Sequence, residues 1–167
     1  GNIVGVSQGG LGLDTRDYYL SDDAQNKRIL EAYKAYLKKL FLMTGNDEAA
    51  AEKKMQAVIN IETRIAKASY DRVKLRDIEA NYHKMTYAQL INDFPGIDWG
   101  NVFLASGFPA FDYVDVGQPE PIHEVEKILA EASLDDLKSY AEAKVIGGAT
   151  SVLGDEFRKV SFELSSV

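Results

Sequence analysis

This 167-residue chain has two imidazoles, and one of them opens a string that invites a metal. His123-Glu124-Val125-Glu126-Lys127 begins like the His-Glu-x-x-His of a zinc helix. There, two imidazoles one turn apart hold the ion and the glutamate acts as base. The second imidazole position here is Lys127, a cation that repels zinc. The match fails at a ligand, so no metal is assigned to the chain and His123 reads as a surface residue in a helix's first turn. His83, in Asn81-Tyr82-His83-Lys84-Met85-Thr86, reads as a packing or hydrogen-bonding residue. The chain has no cysteine, which excludes a thiolate zinc site, a cysteine nucleophile and a disulfide scaffold. Ser7 and Ser106 lie near glycines, but neither occupies a Gly-x-Ser-x-Gly elbow. Gly9-Gly10-Leu11-Gly12 lacks the Gly-Lys-Ser/Thr ending of a phosphate loop and reads as a flexible backbone segment.

Two features carry more information. Glu62 falls at the helical spacing of Met55, Val58, Ile59, Ile65 and Ala66, inside an apolar stripe. A carboxylate placed there needs a cation or several N–H donors. Arg72, Arg76 and Lys84, in the polar stretch beyond that helix, are the cations expected to reach back to it. Glu62 then reads either as a general base or as a structural buried carboxylate that fixes the loop after its helix, and the second reading is preferred. The segment Arg16-Asp17-Tyr18-Tyr19 places two phenols and a guanidinium after a glycine-rich approach. Arg16, Tyr18 and Tyr19 are candidates to line a peptide-binding cavity, the guanidinium being suited to a carboxylate or carbonyl. Aromatic packing of an ordinary loop is the competing reading.

The elements that must position these residues are mostly helices. Ser21 or Asp22 caps a helix reaching about Thr44, with Ile29, Tyr33, Tyr36, Leu37, Leu40 and Phe41 on one face and Gly45 just beyond its end. Asn46 or Asp47 caps the next, which runs to about Ser69, and the short loop predicts antiparallel packing. Thr86 and Asp98 cap two shorter helices. Pro119 and Pro121 stand ahead of another carrying Ile122, Val125 and Ile128. Ser133 caps the last, with a kink at Gly147-Gly148 and helix onward towards Phe157. Residues 1–20 read as extended or irregular, with Ile3-Val4-Gly5-Val6 and Tyr113-Val114-Asp115-Val116 as short strands. The fold class is therefore mainly α, an antiparallel helical bundle-like lobe with one or two short strands.

A formal net charge of −7 and no uninterrupted basic run argue against a nucleic-acid partner. No apolar stretch is long enough to span a bilayer, so no membrane contact is expected of this segment. No signal peptide is visible and the first residue is Gly1, as expected of a piece cut from the middle of a longer protein.

Several segments, in order, resemble the neprilysin family of zinc metallopeptidases, which includes neprilysin, endothelin-converting enzyme and bacterial oligoendopeptidase O. Gly10-Leu11-Gly12-Leu13-Asp14-Thr15-Arg16-Asp17-Tyr18-Tyr19 is similar to its Gly-Leu-(Pro)-x-Arg-Asp-Tyr-Tyr segment. Ile61-Glu62-Thr63-Arg64-Ile65-Ala66 resembles its Glu-x-x-(Ile/Leu)-Ala helix, and Asn81-Tyr82-His83-Lys84-Met85-Thr86 its Tyr-Asn-Lys-Met-Thr element. Leu90 and Ile97-Asp98-Trp99 match its Leu…Pro-x-Ile-x-Trp pattern. The likeness is close over residues 10–99 and looser over 100–167. Asp14, often Pro in the family, and His83, usually Asn, depart from the pattern.

The resemblance implies two helical lobes around a cavity, with zinc bound by one lobe and the other capping the site. This chain would be part of a single helical capping domain over residues 1–167. The zinc-binding catalytic domain would lie downstream, and the chain alone would have no cofactor and no peptidase activity. Its partners would be the catalytic lobe of the same polypeptide and peptide substrates, which Arg16, Tyr18 and Tyr19 would help to gate. The parent would hydrolyse small peptides and would be exported, periplasmic or at the cell envelope. The absence of cysteines resembles the bacterial branch. A stand-alone helical peptide- or protein-binding module is the alternative. The capping reading further predicts apolar surface exposed where the rest of the lobe belongs.

Overall fold

The structure, a computed structural model, describes residues 2–108, 110–147 and 162–166. Its helices begin where short polar side chains can satisfy the free N–H groups of a first turn. Asp23 accepts from Gln25 and Asn26 at the start of α2 (Ala24–Met43), and Asp47 accepts from Ala50 at the start of α3 (Glu48–Ala68). Thr86 and Gln89 form a reciprocal capping box on α5 (Tyr87–Asp93), and Asp98 caps α6 (Trp99–Ser106). Pro119 and Pro121 both lie inside the first turn of α7 (Pro119–Glu131), where no N–H is required of them. The Ser133 hydroxyl accepts from Asp136 at the start of α8 (Leu134–Gly147). Two single-turn helices, α1 (Asp17–Leu20) and α4 (Arg72–Leu75), complete the set among the described residues.

The chain is mainly α, as its periodicity predicts, but the described residues hold four strands where one or two were expected. β1 (Ile3–Gln8), β2 (Lys84–Met85), β3 (Tyr113–Val116) and β4 (Phe162–Ser166) form one mixed sheet in the order β2-β3-β1-β4. β1 runs parallel to β3, while β4 and β2 join antiparallel on either side. β2 is too short to announce itself by alternation, and β4 takes its backbone partners from β1, at the other end of the sequence. The helix expected to continue towards Phe157 lies outside the described residues from 148 to 161, and at Phe162–Ser166 the chain is a strand. Residues 17–20, expected to be irregular, make the one-turn α1.

The apolar side chains gather into two clusters. One packs Val4, Val6, Val114 and Val116 of the sheet against Leu90, Phe94, Trp99, Phe103, Ile122 and Val125. The other packs Leu37 and Phe41 of α2 against Met55, Val58, Ile61 and Ile65 of α3, with Tyr140 and Ala143 of α8. Helix α7 joins them, since Ile122 and Val125 enter the first and Ile128 the second. No helix among the described residues is long and apolar enough to cross a membrane.

Phe41 is fully buried while Met43, two residues on, is 73% exposed. Phe41→Ala is expected to cost about 3–5 kcal/mol through lost burial and a residual cavity. Met43→Ala is expected to stay within about 0.5 kcal/mol of the unsubstituted chain. Denaturant midpoints of the two variants check this, and equal shifts would refute the placement of α2.

Candidate functional site

Glu62 lies in the second half of α3 with no exposed surface. A carboxylate has about four lone-pair positions to satisfy, and four donors meet them. The Tyr19 hydroxyl donates to Oε1 at 2.5 Å and the Gly12 N–H to the same oxygen at 2.8 Å. The Tyr33 hydroxyl donates to Oε2 at 2.8 Å, and the Lys144 ammonium to that oxygen at 3.0 Å. These donors come from α1, the glycine loop, α2 and α8, so one side chain ties four parts of the chain to α3. Arg72, Arg76 and Lys84, the expected cations, play no part. They are exposed on the polar segment beyond α3, whereas α8 packs along α3 and delivers Lys144.

The glycine loop is fastened rather than slack. The Tyr19 oxygen also accepts from the N–H groups of Gly12 and Leu13, both at 3.1 Å. The Tyr140 hydroxyl donates to the Gly10 carbonyl at 2.6 Å. Gly10 has φ +89°, a conformation that side chains oppose. A Cβ on Gly12 would fall 2.0 Å from the Tyr33 oxygen, so only glycine fits between the loop and Glu62's ring of donors. Gln8, this loop and Ser69 line a polar cleft of about 290 Å³.

Of the residues singled out in the sequence, Tyr19 and Glu62 are brought into direct contact and are both buried. Arg16 turns to the end of α3, where its Nε donates to the Ala66 carbonyl at 3.0 Å and Nη2 reaches the Lys67 carbonyl at 3.5 Å. A cation suits the negative end of a helix. Tyr18, on the same turn as Tyr19, is half-buried. Sequence reasoning missed Tyr33, Tyr140 and Lys144 as partners of this centre. The available signal was a phenol in the α2 stripe and a Tyr-x-x-x-Lys pair on one face of α8.

The two histidines are held apart. His123 Nδ1 lies 2.8 Å from Glu126 Oε1, and its ring stacks on Phe94 with centroids 4.3 Å apart. His83 Nδ1 lies 2.8 Å from the Val116 carbonyl and its backbone N–H donates to Asp115, which joins it to β3. With Lys127 one turn beyond His123, these residues do not fit a zinc ion. Among the described residues no group of three His, Asp or Glu side chains is placed to hold a metal.

Glu62→Ala removes the acceptor and leaves Lys144 and two phenols facing an apolar interior, at an expected cost of about 3–5 kcal/mol. Lys144→Met in the same chain is expected to recover part of that loss, which a double-mutant cycle by urea denaturation measures. Strict additivity would sink the pairing. Burial first, and then the Glu62 charge, raise the Tyr19 and Tyr33 hydroxyls well above the usual phenol range. Unfolded, both ionise near pH 10, while folded they keep their protons. Their contribution is thus intact below about pH 10 and is lost as pH climbs above it. Stability should fall between pH 10 and 11, and Tyr33→Phe should flatten the fall. An unchanged slope in that variant would contradict the assignment.

The family model described as Peptidase family M13, that of its N-terminal domain, matches residues 1–167. Endothelin-converting enzyme 1 of Homo sapiens is 36% identical over 127 residues, covering 75% of this chain and 16% of that protein. Endothelin-converting enzyme-like 1 of Mus musculus is 27% identical over 169 residues, covering 98% of this chain and 21% of the relative. Among solved structures, the zinc metalloprotease Zmp1 of Mycobacterium tuberculosis in its open state matches with a TM-score of 0.72. Its identity is 25%, over 95% of this chain and 28% of that one. The chain thus spans only 16% to 21% of the length of these curated relatives. It belongs to peptidase family M13, the neprilysin family, as a segment of the family's N-terminal domain.

Proposed function

We propose that this chain is part of the non-catalytic lobe that caps the active site of a zinc metalloendopeptidase acting on small peptides. The family match over residues 1–167 supports the assignment to the N-terminal lobe. The observation that carries the cavity-lining role is the glycine loop, held by Glu62 against α3 and forming a wall of the 290 Å³ cleft. A cavity wall must keep its shape while substrates enter and leave, and a loop fastened at Gly10, Gly12 and Leu13 does so.

In this reading Tyr18, the less buried phenol, meets the substrate. Tyr19 works beneath the wall through Glu62, and Arg16 holds the turn that carries both on the end of α3. Zinc and the acid–base groups belong to the remainder of the polypeptide, since the described residues here do not fit the ion. The partners are that catalytic lobe and the peptide it cleaves. The parent is an exported peptidase, periplasmic or at the cell envelope, and the absence of cysteines in this chain suits the bacterial branch of the family.

The test compares peptidase activity of the longer polypeptide and of this chain, each with zinc and with a chelator. Chelator-sensitive cleavage by the longer polypeptide alone is expected. Zinc-dependent cleavage by the 167-residue chain would overturn the proposal. Within the longer polypeptide, Tyr18→Ala is expected to raise KM by about three- to tenfold with kcat little changed. Unchanged kinetics would show that Tyr18, which is not among the residues lining the cleft, does not meet the substrate either.

A further inference from the structure

The segment from Asp71 to Tyr82 has its polar and apolar groups arranged the wrong way round for a free loop. Its polar side chains turn back onto its own backbone. Asp71 accepts from the Lys74 N–H at 2.8 Å, and Asp77 accepts from Glu79 and Ala80 at 3.1 and 3.2 Å. The Asn81 side-chain amide donates to the carbonyls of Lys74 and Asp77, both at 2.7 Å. Both ends are anchored to the body of the fold. Gln8 forms two bonds with the backbone of Tyr70, whose hydroxyl donates to Glu120 at 2.5 Å, and Gln118 donates to the Asn81 side chain at 2.7 Å.

The apolar side chains point out of this fastened frame. Val73 is 76% exposed, Ile78 85% and Tyr82 52%, with Leu75 also exposed. Single exposed apolar residues need no explanation, but four within a ten-residue stretch of ordered backbone mark a surface that another surface covers. Two cations, Arg72 and Arg76, are exposed among them, and neither is in an ion pair among the described residues. That is notable in a chain of net charge −7, where carboxylates outnumber cations.

We infer that residues 71–82 are a docking surface for another part of the same polypeptide, outside residues 1–167, which offers an apolar patch rimmed by carboxylates. The occupant is argued from length and charge. The curated relatives carry most of their polypeptide outside the matched stretch, of which this chain spans 16% to 21%. The two exposed guanidiniums select an acidic rim. The inference rests on the proposal that the chain is one lobe of a longer protein, and adds where and by what chemistry the remainder seats.

Hydroxyl-radical footprinting of the longer polypeptide and of the 167-residue chain tests it. Labelling of Val73, Ile78 and Tyr82 should fall by about fivefold or more in the longer polypeptide, as for side chains at the dry centre of an interface. Arg72→Glu combined with Arg76→Glu should restore it, while Lys39→Glu combined with Lys53→Glu, elsewhere on the surface, should not. Equal labelling in the two proteins overturns the inference. Labelling that falls with concentration in the 167-residue chain alone also overturns it, in favour of a second copy. Protection in a longer polypeptide without chelator-sensitive activity would uphold this docking surface and reject the peptidase proposal. Activity without protection would do the reverse.

Discussion

A carboxylate cut off from water must be met by a donor at each lone pair, and Glu62 imposes that demand inside the longest of the described helices. Desolvating such a charge costs several kcal/mol, and only well-placed partners offset it. The chain meets the demand from four directions, through Tyr19, Tyr33, Gly12 and Lys144. Each partner lies on a different element, so satisfying one side chain fixes where α1, the glycine loop, α2 and α8 stand. The close approach of Gly12 to Tyr33 is a direct consequence, because no side chain fits between them.

Around that centre further polar ties run along the same helix. Arg64 of α3 bonds Glu124 and Glu131 of α7 at 2.9 and 2.8 Å, and Lys54 bonds Glu142 of α8 at 3.0 Å. These pairs are partly exposed and individually modest. They add register to an arrangement that apolar packing already stabilises. Helix α7 then carries the order outward, since its apolar face enters both clusters and its first turn holds the segment after α3 through Tyr70 and Glu120. Burial, the largest single influence, would raise the Glu120 carboxyl, but the Tyr70 hydroxyl, the residue's own backbone N–H and the nearby Lys74 charge act together to hold the group below the usual range. The same contact, after burial, pushes the Tyr70 hydroxyl up to about 12.

The result is a scaffold whose loops are unusually well fastened for their exposure. The glycine loop and the 71–82 segment are both bonded to the body of the fold, yet one borders an open cleft and the other presents apolar side chains to solvent. Binding surfaces set on a rigid frame lose less order when they are occupied. That economy is what the proposed capping role would require.

Much of this was legible in the amino-acid order. Helical spacing and the caps Asp47, Thr86, Asp98 and Ser133 marked most helices, because those signals act within a turn or two of the chain. The ordered motifs around Arg16, Glu62 and Tyr82 pointed to the family, and Lys127 ruled out a zinc helix at His123. Glu62 announced itself by standing in an apolar stripe. Its partners did not, since Lys144 lies 82 positions away and Arg72 was nearer in sequence. β4 was invisible for the same reason, as its hydrogen bonds come from β1 at the opposite end of the chain. Local rules thus determined which elements form and that one buried charge needed neutralising. Only tertiary packing, which brings distant helices side by side, decided which cation arrives and which loop the charge holds still.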